Sequence, residues 1–204
     1  LTYHHMRKHS DLSGSLMGDI SGTSDKVFEI YRRYAENDAF PWNDTGTNLA
    51  NGGNLVDNIK LDSGSAYGKE TAGSKNAGRS GTIQVGNMTE VAFWPNTGAK
   101  DPALGYLQSL YDGDNLSLVV ADSTPNGPSG WFYRTWVQDN DWAKIFTAWF
   151  EFDDSSTHFE NESEKQHFID TMTEDEKSEM ERFDVNYEQL NWRRRTLQDK
   201  CNGD

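Results

Sequence analysis

Glu90 is the residue with the most direct chemical potential. It closes the run Thr82-Ile83-Gln84-Val85-Gly86-Asn87-Met88-Thr89, which reads as a strand, and precedes Val91-Ala92-Phe93-Trp94-Pro95. In open parallel sheets, ligands sit beyond the carboxyl ends of the strands. A carboxylate there can polarise a water for attack on a phosphate, or hold Mg²⁺ through water. A surface glutamate after a strand would look the same.

Ser123-Thr124-Pro125-Asn126-Gly127 is a second such tip. It packs two hydroxyls and an amide into four residues, with Pro and Gly fixing the bend. Such a loop can hydrogen-bond a γ-phosphate or the attacking water; an ordinary turn uses the same residue types. The stretch Lys69 to Thr82 is rich in Gly, Ser and Lys. It fails the G-x-x-x-x-G-K-[ST] test, since no Gly-Lys-Ser/Thr closes it and a strand follows. It can still bring Lys75 and Arg79 to a phosphate or a DNA backbone, and Arg79 could supply charge to a phosphoryl transition state. The alternative is a solvated glycine loop. His5 and His9, beside His4 and Asp11, have the spacing of one helix face, but nothing elsewhere completes a metal site. Arg193-Arg194-Arg195 beside Trp192 either grips a phosphate backbone or pairs with the acidic stretch before it.

The elements that must position these residues follow from periodicity. Ser15 to Ile20 reads as a buried strand, and Val27, Ile30, Tyr31 and Tyr34 give an amphipathic helix over 24–36. Residues 37–54 read as a loop, Leu55 to Leu61 as an edge strand, and Ser63 to Gly81 as a loop. Ala103 to Tyr111 reads as a short helix. Leu116 to Asp122 is the strongest strand signal, a near-continuous apolar run of the kind buried on both faces. Trp131 to Gln138 reads as a helix, and Lys144 to Phe152 as a returning strand. Strand–helix alternation over 15–152 predicts an α/β fold with parallel strands. From 153 to 204 the chain turns acidic. Thr173-Glu174-Asp175-Glu176 opens a helix with a capping box, and Asn186 to Gln189 repeats the logic for a last helix, 187–200.

Composition narrows the classes. The chain has 204 residues, 19 basic against 33 acidic, for a net charge of −14. No run of about 18 apolar residues occurs, so no membrane-spanning helix is expected. No basic-then-apolar leader follows Leu1. A single cysteine, Cys201, excludes an intrachain disulfide framework and a Cys-rich zinc site. Eighteen Gly and five Pro show no fixed period, against a collagen or a repeat array.

Taken in order, these segments resemble the large terminase subunit of tailed bacteriophages, the ATP-driven DNA-packaging motor. Met17 to Ser24 followed by Phe28-Glu29-Ile30-Tyr31 is similar to the strand and helix after that family's first nucleotide motif. Asn76 to Thr82 is similar to the loop before its Walker B strand, and Met88-Thr89-Glu90-Val91-Ala92-Phe93-Trp94 to the Walker B end. Ser123 to Gly127 resembles the coupling motif, with Pro125 where Ala is usual. Trp131 to Trp136, Phe146 to Glu151 and Tyr187 to Arg194 resemble the segments that follow. The likeness runs from about residue 15 to 198; each motif is weak alone, and order and spacing carry it.

The resemblance implies an incomplete, ASCE-like P-loop NTPase fold over 1–152, with 153–204 as an acidic helical linker toward a nuclease domain. No Walker A loop occurs in the sequence; in the family it would lie just before residue 1. The chain is thus expected to be the middle of an enzyme, an ATPase, and to bind ATP poorly and hydrolyse it negligibly alone. Glu90 would be the general base or water-orienting residue, and Thr124 and Asn126 would couple hydrolysis to DNA movement. Thr89, Arg79 and Ser123 would face ATP and Mg²⁺. The implied partners are double-stranded phage DNA, the portal protein and the small terminase subunit. The implied location is the host cytoplasm, at the prohead portal, as a ring. Two other readings remain: a fragment of another P-loop ATPase or helicase, and a non-enzymatic acidic binding module.

Overall fold

A computed structural model describes residues 1–37, 57–74, 81–95, 101–111, 113 and 115–200. Lys75, Arg79, Cys201 and most of the loop expected over 37–54 lie outside the described residues. The chain divides into two compact units, Leu1–Trp142 and Ala143–Asp204.

The first unit is mixed α/β, a five-stranded, mostly parallel sheet flanked by helices. Its central strand is β1 (Ser13–Gly18), flanked in parallel by β3 (Ala66–Thr71) and β4 (Val85–Thr89). Strand β5 (Leu118–Asp122) pairs in parallel with β4, and β2 (Asn58–Lys60) adds antiparallel to β3. The order is β2-β3-β1-β4-β5. Successive side chains of a strand point to opposite faces, so neighbours enter different cores. Leu16 and Val85 join Phe28, Tyr31 and Ala35 of α2 (Ser21–Glu36) and Met6 of α1 (Thr2–Lys8). Met17 and Met88 join Ala103 and Tyr106 of α3 (Pro102–Leu107), with Trp131 and Phe132 of α4 (Gly130–Val137) packed alongside.

The turn from β1 into α2 is tight. Ser24 Oγ accepts from the Gly18 N–H at 3.2 Å and donates to the Glu70 carbonyl at 2.7 Å. It therefore joins the ends of β1 and β3 to the first turn of α2.

Four expectations are corrected. Residues 66–71, expected as loop, form β3. Their Gly, Lys and Glu content hides the strand from propensity, but Tyr67, 3% exposed, stacks on Tyr31 and the backbone pairs on both sides. β5, expected to be buried on both faces, closes one edge of the sheet among the described residues and is half-buried. An apolar run does not say whether a second neighbour is present. Residues 144–152 are not a strand: 144–148 are irregular and lead into the short 3-10 turn Trp149–Glu151. Helix α3 is also shorter than expected, starting at Pro102 under the Asp101 cap, whose Oδ1 accepts from the Ala103 N–H at 3.0 Å.

The second unit begins earlier in sequence than the acidic composition does, because Trp149 and Phe150 belong to its core. They pack with Phe168, Val185 and Leu190 inside α5 (Glu162–Asp170), α6 (Glu174–Phe183) and α7 (Tyr187–Lys200). The Thr173–Glu176 capping box forms, and Asn186 and Gln189 exchange reciprocal hydrogen bonds at 2.9 Å. The arginine run is committed to acids. Arg193 pairs with Glu179 at 2.8 Å, Arg195 with Glu164 at 2.8 Å, and Arg194 grips Glu176 through Nε at 2.7 Å and Nη2 at 2.6 Å. Of the two readings of this run, the acidic pairing is the one formed.

Glu176 is 4% exposed, so its charge depends on its partners. Burial pushes its carboxyl up, but the hydrogen bonds from Arg194 and Thr173 outweigh this and hold it below the ordinary value of 4.5. A depressed carboxyl stabilises the fold above its unfolded value and loses that contribution as pH falls through its folded value. The second unit should therefore weaken as pH drops below about 4.5, seen by its α-helical circular dichroism. Arg194→Met strands Glu176 and should cost that unit about 3 kcal/mol in urea unfolding.

Candidate functional site at the carboxyl edge of the sheet

Parallel pairing brings the carboxyl ends of β1, β4 and β5 to one edge. Met17 is in register with Met88, and Thr89 with Asp122, so Asp19, Glu90 and Ser123 follow neighbouring strand ends. Thr89 is buried, and its Oγ1 donates to Asp122 Oδ2 at 2.9 Å. Trp94, from the other side of the tip, donates its indole Nε1–H to the Thr89 carbonyl at 2.9 Å.

The chain leaves β4 through an unusual conformation. Glu90 has φ 54° and ψ 38°, left-handed backbone that a non-glycine residue adopts at a cost. It caps the 3-10 turn Val91–Phe93. One carboxylate oxygen of Glu90, Oε2, is sealed from solvent without a hydrogen-bond partner among the described residues, and so is Oδ1 of Asp19. Such oxygens are rare in folded proteins, because each has lost its water without replacement.

The loop after β5 meets the β4 tip at Ala92. Ser123 Oγ accepts the Ala92 N–H at 3.1 Å, and Asn126 Nδ2 donates to the Ala92 carbonyl at 3.2 Å. Both groups of one residue, two past Glu90, are thus held by the loop after β5. Ser123 also donates to the Thr124 carbonyl at 2.9 Å, while Gly127 at φ +74° supplies the left-handed bend that closes the loop. Thr124 and Asn126 are exposed. Arg79 lies outside the described residues, so its place at this edge is not part of the geometry.

Sequence reasoning passed over Asp122 and Asp19. Asp122 was visible only as the last letter of an apolar strand. Its signal is an acid at the carboxyl end of a parallel strand, the same signal that singled out Glu90. Although Asp122 is exposed overall, its carboxyl is partly desolvated against the β4 tip. This pushes its pKa above the ordinary aspartate value, partly offset by the Thr89 hydroxyl and the Glu90 N–H. The histidines form no site. His5 Nε2 bonds the Leu116 carbonyl at 2.7 Å, its ring lies 4.8 Å from that of His9, and no metal-holding group of three or more His, Cys, Asp or Glu occurs among the described residues.

No protein-family model matches the chain, and no curated protein matches it. Among solved structures, the large terminase from a thermophilic bacteriophage is similar with a TM-score of 0.47 and 11% identity, over 66% of this chain and 32% of that one. The chain spans about a third of that terminase's length. At that similarity the likeness assigns no family; fold and site define the chain as a mixed α/β protein with an acidic carboxyl edge. No helix among the described residues is long and apolar enough to cross a membrane.

The backbone at Glu90 gives a direct test of whether the residue is kept for stability. Glu90→Gly removes the left-handed strain and should stabilise the first unit by about 1 kcal/mol in urea unfolding. A loss of stability instead would mean that the carboxylate anchors the turn.

Proposed function

We propose that the chain supplies the hydrolytic edge of an ATP-driven motor of the large-terminase type, a DNA-packaging subunit of tailed bacteriophages. The observation that carries this reading is the meeting of the β4 tip and the β5 loop at Ala92, on the carboxyl edge of a parallel sheet. Phosphoryl transfer to water needs little covalent chemistry from the protein; it needs a positioned water, charge compensation and a way to sense the phosphate. Glu90, a partly exposed carboxylate at this edge, would orient the water and take its proton. Thr124 and Asn126 sit on the loop that also grips Ala92, so a shift there on loss of the γ-phosphate would pass straight to the β4 tip.

ATP and Mg²⁺ fit this edge in part. Ser123 and Glu90 bring hydroxyl and carboxylate oxygens of the kind that hold hydrated Mg²⁺, whereas the Thr89 hydroxyl is buried and given to Asp122; Mg²⁺ would supply charge neutralisation on the phosphates. Arg79 is assigned to the phosphate side by resemblance alone. A lysine-bearing phosphate loop is not in the sequence, so the cradle for the β- and γ-phosphates must come from other residues of the functioning protein. Double-stranded DNA, a portal and a small subunit are the partners this reading assigns to that protein. The arginines most suited to a DNA backbone, Arg193 to Arg195, are already paired with glutamates. The duplex is therefore to be sought on other surfaces.

In the full-length protein that carries this chain, Glu90→Gln should lower ATP hydrolysis by about 10²- to 10⁴-fold. Nucleotide binding and circular dichroism should stay unchanged. Phosphate release measures the first, and fluorescent-nucleotide titration the second. Unchanged hydrolysis would remove the motor reading and leave an acidic, non-enzymatic binding module.

A further inference from the structure

We infer that the Asn126–Gly127 pair is a self-modification site: the Asn126 side chain cyclises onto the Gly127 nitrogen, loses ammonia and reopens with water as aspartate or isoaspartate, removing one of the two holds of the β5 loop on the β4 tip. The inference goes beyond the hydrolytic reading and does not depend on it.

Cyclisation needs a backbone nitrogen that can attack and a next residue small enough to let the ring close. Three Asn-Gly pairs occur in the sequence, at 51–52, 126–127 and 202–203, and the pair at 126–127 is the one within the described residues. Asn126 is exposed. The Gly127 N–H donates to no acceptor among the described residues. The space where a Cβ at 127 would stand is open, with no atom within 4 Å. Gly127 has φ +74°, where a side chain would strain the loop. The residue that lets the loop bend is therefore the one that leaves the attacking nitrogen unshielded. One contact restrains the Asn126 side chain, the bond from Nδ2 to the Ala92 carbonyl at 3.2 Å. A hydrogen bond at an exposed position opens readily, because water replaces it.

The chemistry balances with water alone. The Gly127 nitrogen gives its proton to solvent base and bonds to Asn126 Cγ. The Cγ–Nδ2 bond breaks, and Nδ2 takes a proton and leaves as ammonia. Water then opens the ring. Attack at Cγ breaks the new bond and gives aspartate; attack at the main-chain carbonyl carbon breaks the original peptide bond and gives isoaspartate, whose main chain is one carbon longer. Either product lacks the N–H that the Ala92 carbonyl received. A carboxylate there sets acceptor against acceptor and adds a negative charge beside Glu90 and Asp122. The Ser123 bond to the Ala92 N–H at 3.1 Å remains, so the tip keeps one of its two holds.

The test has two arms. The 204-residue chain, aged in mildly alkaline buffer, should convert Asn126 to acid, read by peptide mass spectrometry, with isoaspartate read by enzymatic methyl-esterification. Conversion should run at least about 10-fold faster than at Asn140 and Asn186, whose next residues, Asp141 and Tyr187, carry a Cβ that shields the nitrogen. Gly127→Ala should slow Asn126 toward those rates. Equal rates at the three asparagines, or an intact Asn126, overturn the inference. In the second arm, Asn126→Asp makes one of the two products by substitution. It should speed hydrogen exchange at the Phe93 amide, which bonds the Glu90 carbonyl at 3.0 Å inside the tip. The exposed control Asn140→Asp should leave that exchange as it is. Unchanged Phe93 exchange in Asn126→Asp overturns the loosening of the tip.

Discussion

The hydrogen bond from Thr89 to Asp122 ties the ends of two parallel strands together, and the acidic edge depends on it and on the register behind it. That register is set by burial. Val85 must reach the core under α2 while Met88 reaches the core under α3, and both are fully buried. A slip of one residue would turn each to the wrong face and carry Thr89 away from Asp122. The chemistry-bearing tips are therefore aligned by apolar side chains upstream, on both faces of the sheet.

Conformational strain and unsatisfied carboxylates meet at this edge. Glu90 has left-handed backbone, and Glu90 and Asp19 each keep a sealed carboxylate oxygen without a partner among the described residues. Behind the edge, polar side chains tie the sheet to its helices. Ser15 and Tyr106 bond each other at 2.9 Å, and Asn87 donates to the Tyr31 hydroxyl at 3.1 Å. A sheet held this firmly can tolerate a strained tip.

The second unit solves a different problem, a small core in an acidic chain. Its aromatic residues supply apolar area, with Trp149 and Trp192 stacked at 5.6 Å. Arg193, Arg194 and Arg195 each neutralise a glutamate from another helix. Arg194 adds a cation–π contact, 3.8 Å above the Phe168 ring. Charge and core are joined in one residue, so the basic run that suggested nucleic acid is a structural clamp.

The capped helices, the α/β alternation and the place of Glu90 and of the 123–127 loop just past strand ends were legible in the local sequence. These features are local: a capping box, a helical apolar period and an acid after an apolar run each lie within a few residues. It did not disclose β3, since Ala66 to Thr71 owes its strand to pairing partners distant in the chain. Nor did it tell an edge strand from a central one at β5, or place Trp149 and Phe150 in the helical unit. Asp122 was hidden for the same reason. Its meaning lies in a neighbour 33 positions away, Thr89, and only tertiary pairing brings that hydroxyl to its carboxylate.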